Sequence, residues 1–341
     1  MSARTNRRWV LAKRPVGEPT PDCFELEEQP LEPLGDGEIL VEVHYLSLDP
    51  YMRGRIRDAK SYAEPIALGE VMTGESAGVV IESKSDRWKV GDTLTAHRGW
   101  QSHIRVAGDS SSLLPADTGL APLPAWLGVV GMPGRTGFFG LQRVGKPKAG
   151  ETLVVSAASG AVGSVVGQLG RILGLRVVGV AGGPEKCGYC RDELGFDACV
   201  DYKAGGLEDE LSAACPDGID VYFENVGGAV TRAVASRLNE GARVPICGFV
   251  SLYNSEEDLA SVETPFSVFA ALEKAPEHRF FLVGEWHEEW LDASRTLAGW
   301  IDSGQLKYRE TIAEGIESAP EAFRGLLAGK NFGKQLVRVA R

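Results

Sequence analysis

Hydrophobic and polar positions follow one rhythm up to about residue 128 and another from about residue 130. In residues 39–45, Val41, Val43 and Tyr45 alternate with Leu40, Glu42 and His44. Period two predicts a half-buried strand. Residues 71–82 and 91–96 read similarly and predict two more strands, with glycines between them. Residues 1–128 therefore read as a compact β-rich domain without internal repeats or low-complexity segments. Beyond 130 the pattern becomes strand, helix, strand. Strands are predicted at 153–157, 176–181, 198–202, 220–224 and 243–248. A helix is predicted over 162–173, with Gly174 as its stop. A second spans 184–194, where Pro184 suits a first turn that needs no N–H and Gly195 suits the left-handed position that follows. These strands are apolar throughout, as in a sheet covered on both faces. The alternation predicts an α/β fold, a doubly wound parallel sheet beside the β-rich domain. The tail returns to strand-like runs such as 335–339 and is predicted to rejoin the first domain. The expected domains are 1–128 with 303–341, and 129–302.

The junction of the 153–157 strand with the 162–173 helix carries the clearest chemical signal. Ala158, Gly160 and Gly163 occupy the spacing of a G-x-G-x-x-G turn, with alanine in the first place. A helix N-terminus there offers unpaired N–H groups and a positive dipole end to a pyrophosphate. Gly160 would let phosphates approach the backbone, and Gly163 would let helix and strand pack closely. Glycines of an ordinary strand–helix turn are the bland alternative. The second strand ends in Ala181-Gly182-Gly183, where an NAD site usually carries an acid. Lys186 lies just beyond and favours a 2′-phosphate, hence NADP. A solvated Lys186, or Glu185 acting as the ribose acid, remain open alternatives.

Composition narrows the function classes. The chain has 341 residues, 43% hydrophobic and 24% charged, with a net charge of −11. The length suits two domains. The acidic balance argues against a nucleic-acid partner. No apolar run approaches the ~20 residues that span a bilayer. The basic N-terminus (Arg4, Arg7, Arg8, Lys13, Arg14) lacks the apolar core of a secretory signal. Six scattered cysteines read as reduced thiols, consistent with a cytoplasmic protein. Cys187 and Cys190 have the C-x-x-C spacing of a redox pair, but inside a predicted helix, where chance spacing is the simpler reading. His44, His97 and His103 have no cysteine nearby, since none lies between Cys23 and Cys187, so no metal site is expected.

Several stretches together resemble one family. They are residues 45–54 (YLSLDPYMRG), 68–72 (LGEVM), 131–136 (GMPGRT), 157–167, 193–197 (ELGFD), 224–228 (ENVGG), 247–254 (CGFVSLYN) and 329–334 (GKNFGK). In this order they are similar to the zinc-free medium-chain dehydrogenase/reductases, the family of prostaglandin/leukotriene reductases, plant double-bond reductases and bacterial curcumin and 2-alkenal reductases. The opening, residues 6–15, looks most like the bacterial branch. The resemblance implies a GroES-like first domain, a Rossmann second domain, NADPH in the cleft and a homodimer. It implies reduction of the carbon–carbon double bond of α,β-unsaturated aldehydes and ketones, which are small-molecule substrates.

Carried over by position, the resemblance places Gly160, Ala161, Val162 and Gly163 on the pyrophosphate. It places Lys186 and Tyr202 at the adenosine 2′-phosphate. Asn225, the run Cys247, Gly248, Phe249, Val250, Ser251, Leu252 and Tyr253, and Asn331 line the cofactor nearer the nicotinamide. Met132 and Thr136 fall where the cofactor meets the domain junction. Phe281, Leu282 and Val283 are likewise placed at the cofactor, in a segment that also lines the substrate cleft in the family, and they follow a departure, Phe280, which stands where the family often has glycine. Such a reduction needs hydride at the β-carbon, a donor for the developing enolate oxygen and a proton for the α-carbon. Tyr253 is the expected donor or proton source, because a phenol donates at neutral pH. Tyr51 is the expected substrate-orienting partner. Cofactor packing for Tyr253, domain-junction packing for Tyr51, and a proton from water or a ribose hydroxyl remain open. Phe138, Phe139, Phe280, Phe281 and residues 252–269 either shape an apolar pocket or belong to the core. The rival activities are an NADPH quinone reductase and a non-catalytic NADPH-binding redox sensor.

Overall fold

The computed structural model describes residues 4–58, 63–256 and 261–340. Within the segment 252–269, residues 257–260 lie outside the described residues. The chain divides into two compact units, residues 1–128 with 310–341, and residues 129–309.

The first unit is built on a seven-stranded mixed sheet. Its order is Glu310–Glu314, Lys334–Arg338, Glu38–Ser47, Ser76–Ser83, Thr93–Ala96 and Leu113–Pro115, with His103–Ala107 also paired to Glu38–Ser47. Ile39, Val41 and Val43 are buried in the main apolar cluster, as the alternation predicts, but Leu40 is buried as well. The strand expected over 71–82 starts only at Ser76. Residues before it are held otherwise: Met72 N–H donates to the Trp9 carbonyl, and Trp100 N–H donates to the Met72 carbonyl. The tail pairs antiparallel with the central strand, Val337 opposite Leu46. The return falls at Glu310 rather than at Ser303. Residues 303–309 stay with the second unit because Leu306 is buried and the Gln168 amide brackets the Lys307 backbone, accepting from its N–H and donating to its carbonyl at 2.8 Å each.

Two of the quoted stretches meet inside this unit. Lys334 Nζ donates to the Leu48 carbonyl at 2.8 Å and to Asp49 Oδ1 at 2.6 Å, and Ser47 Oγ donates to the other Asp49 oxygen. Both charged side chains are buried. Removing one partner of such a pair leaves an uncompensated buried charge, which is strongly destabilising. Glu310 faces Lys334 across the sheet, and its Oε1 is buried without a hydrogen-bond partner. Burial lifts the Glu310 carboxyl from 4.5 to about 6, against the opposing pull of Lys334. The folded state therefore prefers the protonated acid. Its contribution is complete below about pH 4.5 and is lost as pH rises through 6. Glu310→Gln is expected to flatten the decline in melting temperature across that window, by a free energy of at most about 2 kcal/mol. Parallel wild-type and variant profiles from pH 4 to 7 would assign the titration elsewhere.

The second unit holds a six-stranded parallel sheet. Its order is Ala198–Asp201, Arg176–Ala181, Thr152–Ser156, Ile219–Phe223, Leu238–Ile246 and Glu277–Phe280. Every residue of Thr152–Ser156 is buried, as the continuous apolar run requires. The fifth strand begins at Leu238, earlier than residue 243, because Ile219 pairs with Leu238; a register shift separates that pair from Val221 opposite Arg243. Helix Gly163–Ile172 follows the first strand, and Gly174 closes it at φ +78°. The 184–194 segment is helical in two parts, α over Pro184–Gly188 and π over Tyr189–Glu193, with Gly195 left-handed after it. The strand order reverses between Thr152–Ser156 and Ile219–Phe223. In open parallel sheets the crevice at that reversal, outside the carboxyl ends of the strands, is where ligands bind.

Candidate functional site

At the carboxyl end of Thr152–Ser156 the backbone turns sharply through Ala157, a non-glycine residue at φ +50°. The strand expected to include Ala157 thus stops one residue early. The Ala157 carbonyl accepts from Gly160 N–H at 2.9 Å, and Ala158 N–H donates to the Val180 carbonyl of the next strand. Ala158 is buried, so the position that usually carries the first glycine here fills space against the sheet. Gly163 opens the helix. A Cβ there would stand 2.3 Å from the Ala157 carbonyl oxygen and 2.9 Å from its carbon, so this position admits only glycine without a backbone shift. At the helix start Ser164 N–H donates to the Gly160 carbonyl and Val165 and Val166 N–H donate to the Val162 carbonyl, which leaves the N–H groups of Ala161, Val162 and Gly163 for a ligand at the turn. That arrangement suits a pyrophosphate.

One strand over, Gly182-Gly183 leads from Arg176–Ala181 into the helix that starts at Pro184. Asp201, at the end of the neighbouring strand, accepts from Gly183 N–H at 2.8 Å and from Lys203 N–H at 2.9 Å, both on Oδ1. The half-buried Lys186 sits here with the half-exposed Tyr202. Burial lowers the pKa of Lys186, and the Lys203 charge lowers it further, against a smaller opposite pull from Glu185. Lys203, not singled out by sequence reasoning, lies with its Nζ 5.8 Å from the centre of the Tyr202 ring. Its only signal in the sequence is adjacency to Tyr202.

At the reversal of strand order, Glu224 is fully buried beyond Ile219–Phe223. Burial raises its carboxyl pKa, and hydrogen bonds oppose the rise, that from Thr231 most. Its Oε1 accepts from Tyr222 Oη at 2.9 Å, Val226 N–H at 2.7 Å and Gly227 N–H at 3.0 Å, and Thr231 Oγ1 donates to Oε2. The Glu224 backbone carbonyl takes the N–H groups of Cys247 and Gly248. Asn225 Nδ2 donates to the Ser156 carbonyl at 2.8 Å. Residues 156, 225–227 and 247–248 are thus tied together at one end of the sheet. Tyr253 belongs to the same cluster. Its hydroxyl lies 2.8 Å from where a Gly248 Cβ would stand, and its ring packs edge-on against Phe249 at 5.9 Å. Ser251 Oγ, in the single turn Val250–Leu252, donates to the Val226 carbonyl.

The remaining expected residues are placed less uniformly. Thr136 uses its hydroxyl on the Met132 carbonyl at 2.7 Å, inside helix Met132–Phe139. Phe281 is buried against Phe223 and Trp286, and Phe139 stacks on Trp286 at 5.3 Å, so both belong to an aromatic core. Leu282 is exposed, and the Val283 carbonyl accepts from Trp290 Nε1. Tyr51 and Asn331 lie in the first unit. Tyr51 begins helix Tyr51–Arg55 and packs against the apolar core, and Asn331 Nδ2 donates to the Gly333 carbonyl. Cys187 and Cys190 are buried, and burial pushes the Cys187 thiol up to about 12. The Cys247 thiol is likewise pushed up to about 12, by burial and then by Glu224. Among the described residues no group of three His, Cys, Asp or Glu side chains is arranged to hold a metal ion. No helix among them is long and apolar enough to cross a membrane.

A parallel sheet whose chain order reads 3-2-1-4-5-6, with a glycine-bearing turn after its first strand, defines the dinucleotide-binding class of α/β proteins. Comparison with known proteins narrows the class. Residues 7–114 match a profile described as the N-terminal domain of oxidoreductase, and residues 161–298 match one described as zinc-binding dehydrogenase. The chain is 46% identical over 339 residues to the NADPH-dependent curcumin reductase of Escherichia coli K12, covering 98% of this chain and 97% of that one. It is 37% identical to a 2-alkenal reductase (NADP(+)-dependent) of Nicotiana tabacum, covering 99% and 98%. The crystal structure of CurA in complex with NADPH from Vibrio vulnificus superposes with a TM-score of 0.92 at 44% identity, covering 98% of this chain and 99% of that one. The chain belongs to the zinc-free medium-chain dehydrogenase/reductase family.

Proposed function

We propose that this protein is an NADPH-dependent reductase of the carbon–carbon double bond of α,β-unsaturated aldehydes and ketones. The observation that carries the reading is the turn at 157–163, where a glycine that admits no Cβ opens a helix, beside a second strand that ends in Ala181-Gly182-Gly183 in place of a ribose-binding acid and leads into the helix carrying Lys186. These residues fit NADPH: Gly160 to Gly163 would hold the pyrophosphate, and Lys186 with Tyr202 the 2′-phosphate. When bound, the reduced nicotinamide supplies hydride for the β-carbon. The substrate class follows the named activities of relatives that match across nearly the full chain.

The chain's own contribution is positioning and charge stabilisation. Glu224 holds the 225–227 and 247–248 loops in register. Tyr253, whose hydroxyl lies over Gly248, would present that hydroxyl to the enolate oxygen and is the proposed donor or proton source. Tyr51 is proposed to orient the substrate carbonyl. Tyr253→Phe is expected to lower kcat for enone reduction by about 10- to 100-fold with little change in NADPH affinity. A kcat within about twofold of wild type would remove the phenol from the chemistry. Tyr51→Phe is expected to raise the enone KM more than it lowers kcat.

The first assay follows absorbance at the nicotinamide band with NADPH and a panel of enones differing in length and aromaticity, with a quinone in parallel. Oxidation of NADPH by the quinone alone would favour the quinone reductase reading. Binding without turnover on the whole panel would favour the sensor. Against a sensor stands the burial of Cys187 and Cys190, since a reactive thiol is an exposed, low-pKa one. We read the protein as a cytoplasmic homodimer, for which the six free cysteines fit a reducing compartment. Light scattering on a size-exclusion column tests the dimer.

A further inference from the structure

We propose that Lys203 is a second cation for the 2′-phosphate and sets the preference for NADPH over NADH, with Asp201 as its positioning residue. The inference rests on the cofactor reading above and adds residues to it. Asp201 is a carboxylate close to where an NAD-type site keeps its ribose acid, since it pairs in register with Ala181, the last residue of the second strand. It is committed elsewhere. One oxygen accepts both Gly183 N–H and Lys203 N–H, and these two backbone bonds hold its pKa low. A single side chain thereby fixes the Gly182-Gly183 turn and the start of the Tyr202-Lys203 segment relative to each other.

The geometry then brings Lys203 over that turn. A Cβ on Gly182 would stand 2.9 Å from Tyr202 Cε1 and 3.0 Å from both Tyr202 Oη and Lys203 Cε, so both side chains fold back across a residue that has no room for its own. The Lys203 ammonium lies near the Tyr202 ring, an attraction that holds the flexible chain in place before a ligand arrives. Lys186 comes from the facing helix, and its pKa is lowered by burial first and by the Lys203 charge next. The two ammonium groups repel each other. A dianionic phosphate relieves that repulsion, whereas the bare 2′-hydroxyl of NADH leaves it in place.

The test is titration of the full-length protein with NADPH, NADH and adenosine 2′,5′-bisphosphate at low and moderate salt. Lys203→Met is expected to weaken NADPH and the bisphosphate by about tenfold or more, leave NADH within twofold, and flatten the salt dependence of NADPH binding. Asp201→Asn keeps the accepting oxygen and is expected to behave like wild type, while Asp201→Ala is expected to reproduce the Lys203→Met pattern. Equal weakening of NADPH and NADH in Lys203→Met, or no weakening of either, overturns the proposal. So does an Asp201→Asn variant as impaired as Asp201→Ala. A wild-type protein that binds neither nicotinamide nucleotide overturns the cofactor reading itself, a failure distinct from any pattern among the variants.

Discussion

Gly163→Ala is expected to lower NADPH affinity by roughly 100-fold or more, because the added carbon lands on the turn that would hold the pyrophosphate. The new methyl would stand 2.3 Å from the Ala157 carbonyl oxygen and 3.0 Å from Ala158 Cα, both backbone atoms that cannot rotate away. Either the helix start lifts off the strand or the 157–160 turn opens. Both movements displace the N–H groups that face the phosphates. Overpacking of this kind also costs stability, about 1–3 kcal/mol. Gly160→Ala is the informative control, since its methyl would meet only the Ala157 carbonyl oxygen closely, at 3.1 Å. That variant is expected to melt near the wild-type temperature yet bind NADPH less well, because the obstruction falls where the phosphates approach. Calorimetric titration and thermal melts on both variants separate the two effects. A Gly163→Ala protein that binds NADPH within threefold of wild type would remove the turn from the cofactor site.

The second large effect is expected at Glu224. Replacing it with alanine orphans the N–H groups of Val226 and Gly227 and the hydroxyls of Tyr222 and Thr231 in a site closed to solvent. Each unsatisfied buried donor costs free energy, and water filling the vacated space offsets part of the total. The expected loss is about 3–5 kcal/mol of unfolding free energy, read from denaturant titration. Glu224→Gln keeps one accepting oxygen and is expected to lose roughly half as much. An alanine variant within about 1 kcal/mol of wild type would show that these donors find other partners and that the carboxyl is dispensable.

The parallel unit was legible in the sequence because its signals are local. The strands nearest the turn, Thr152–Ser156 and Arg176–Ala181, are largely apolar runs, and Gly174, Pro184 and Gly195 mark helix ends through backbone rules that need no tertiary partner. The edge strand Glu277–Phe280, with Glu277, His278 and Arg279, carries no such run and is absent from the predicted set. What escaped was non-local. The residues before Ser76 carry a strand-like pattern, but their backbone groups are satisfied by Trp9 and Trp100, which no period reveals. Ala157 adopts a left-handed conformation that its own side chain disfavours, so only the surrounding turn specifies it. The aromatic residues near 138 and 281 read equally as pocket or core, and Phe139 and Phe281 proved to be core because Trp286 lies between them in space. The site residues divide the same way. Gly163 and Lys186 announce themselves by position after a strand. Glu224 and Lys203 do not, since their roles depend on hydrogen bonds and side-chain folding among segments distant in sequence.

The first unit is interrupted by the second, and this orders events during synthesis. All six strands of the parallel sheet lie between residues 152 and 280 and can pair while the ribosome is still adding the rest. The mixed sheet must wait for Lys334–Arg338, which seats beside Glu38–Ser47 only after all six of those strands have been synthesised. Until then Leu46 and its neighbours present an open strand edge, the kind of surface that chaperones shield and that stray chains invade. A nascent polypeptide stalled just short of residue 334 would hold a finished nucleotide fold beside an incomplete one.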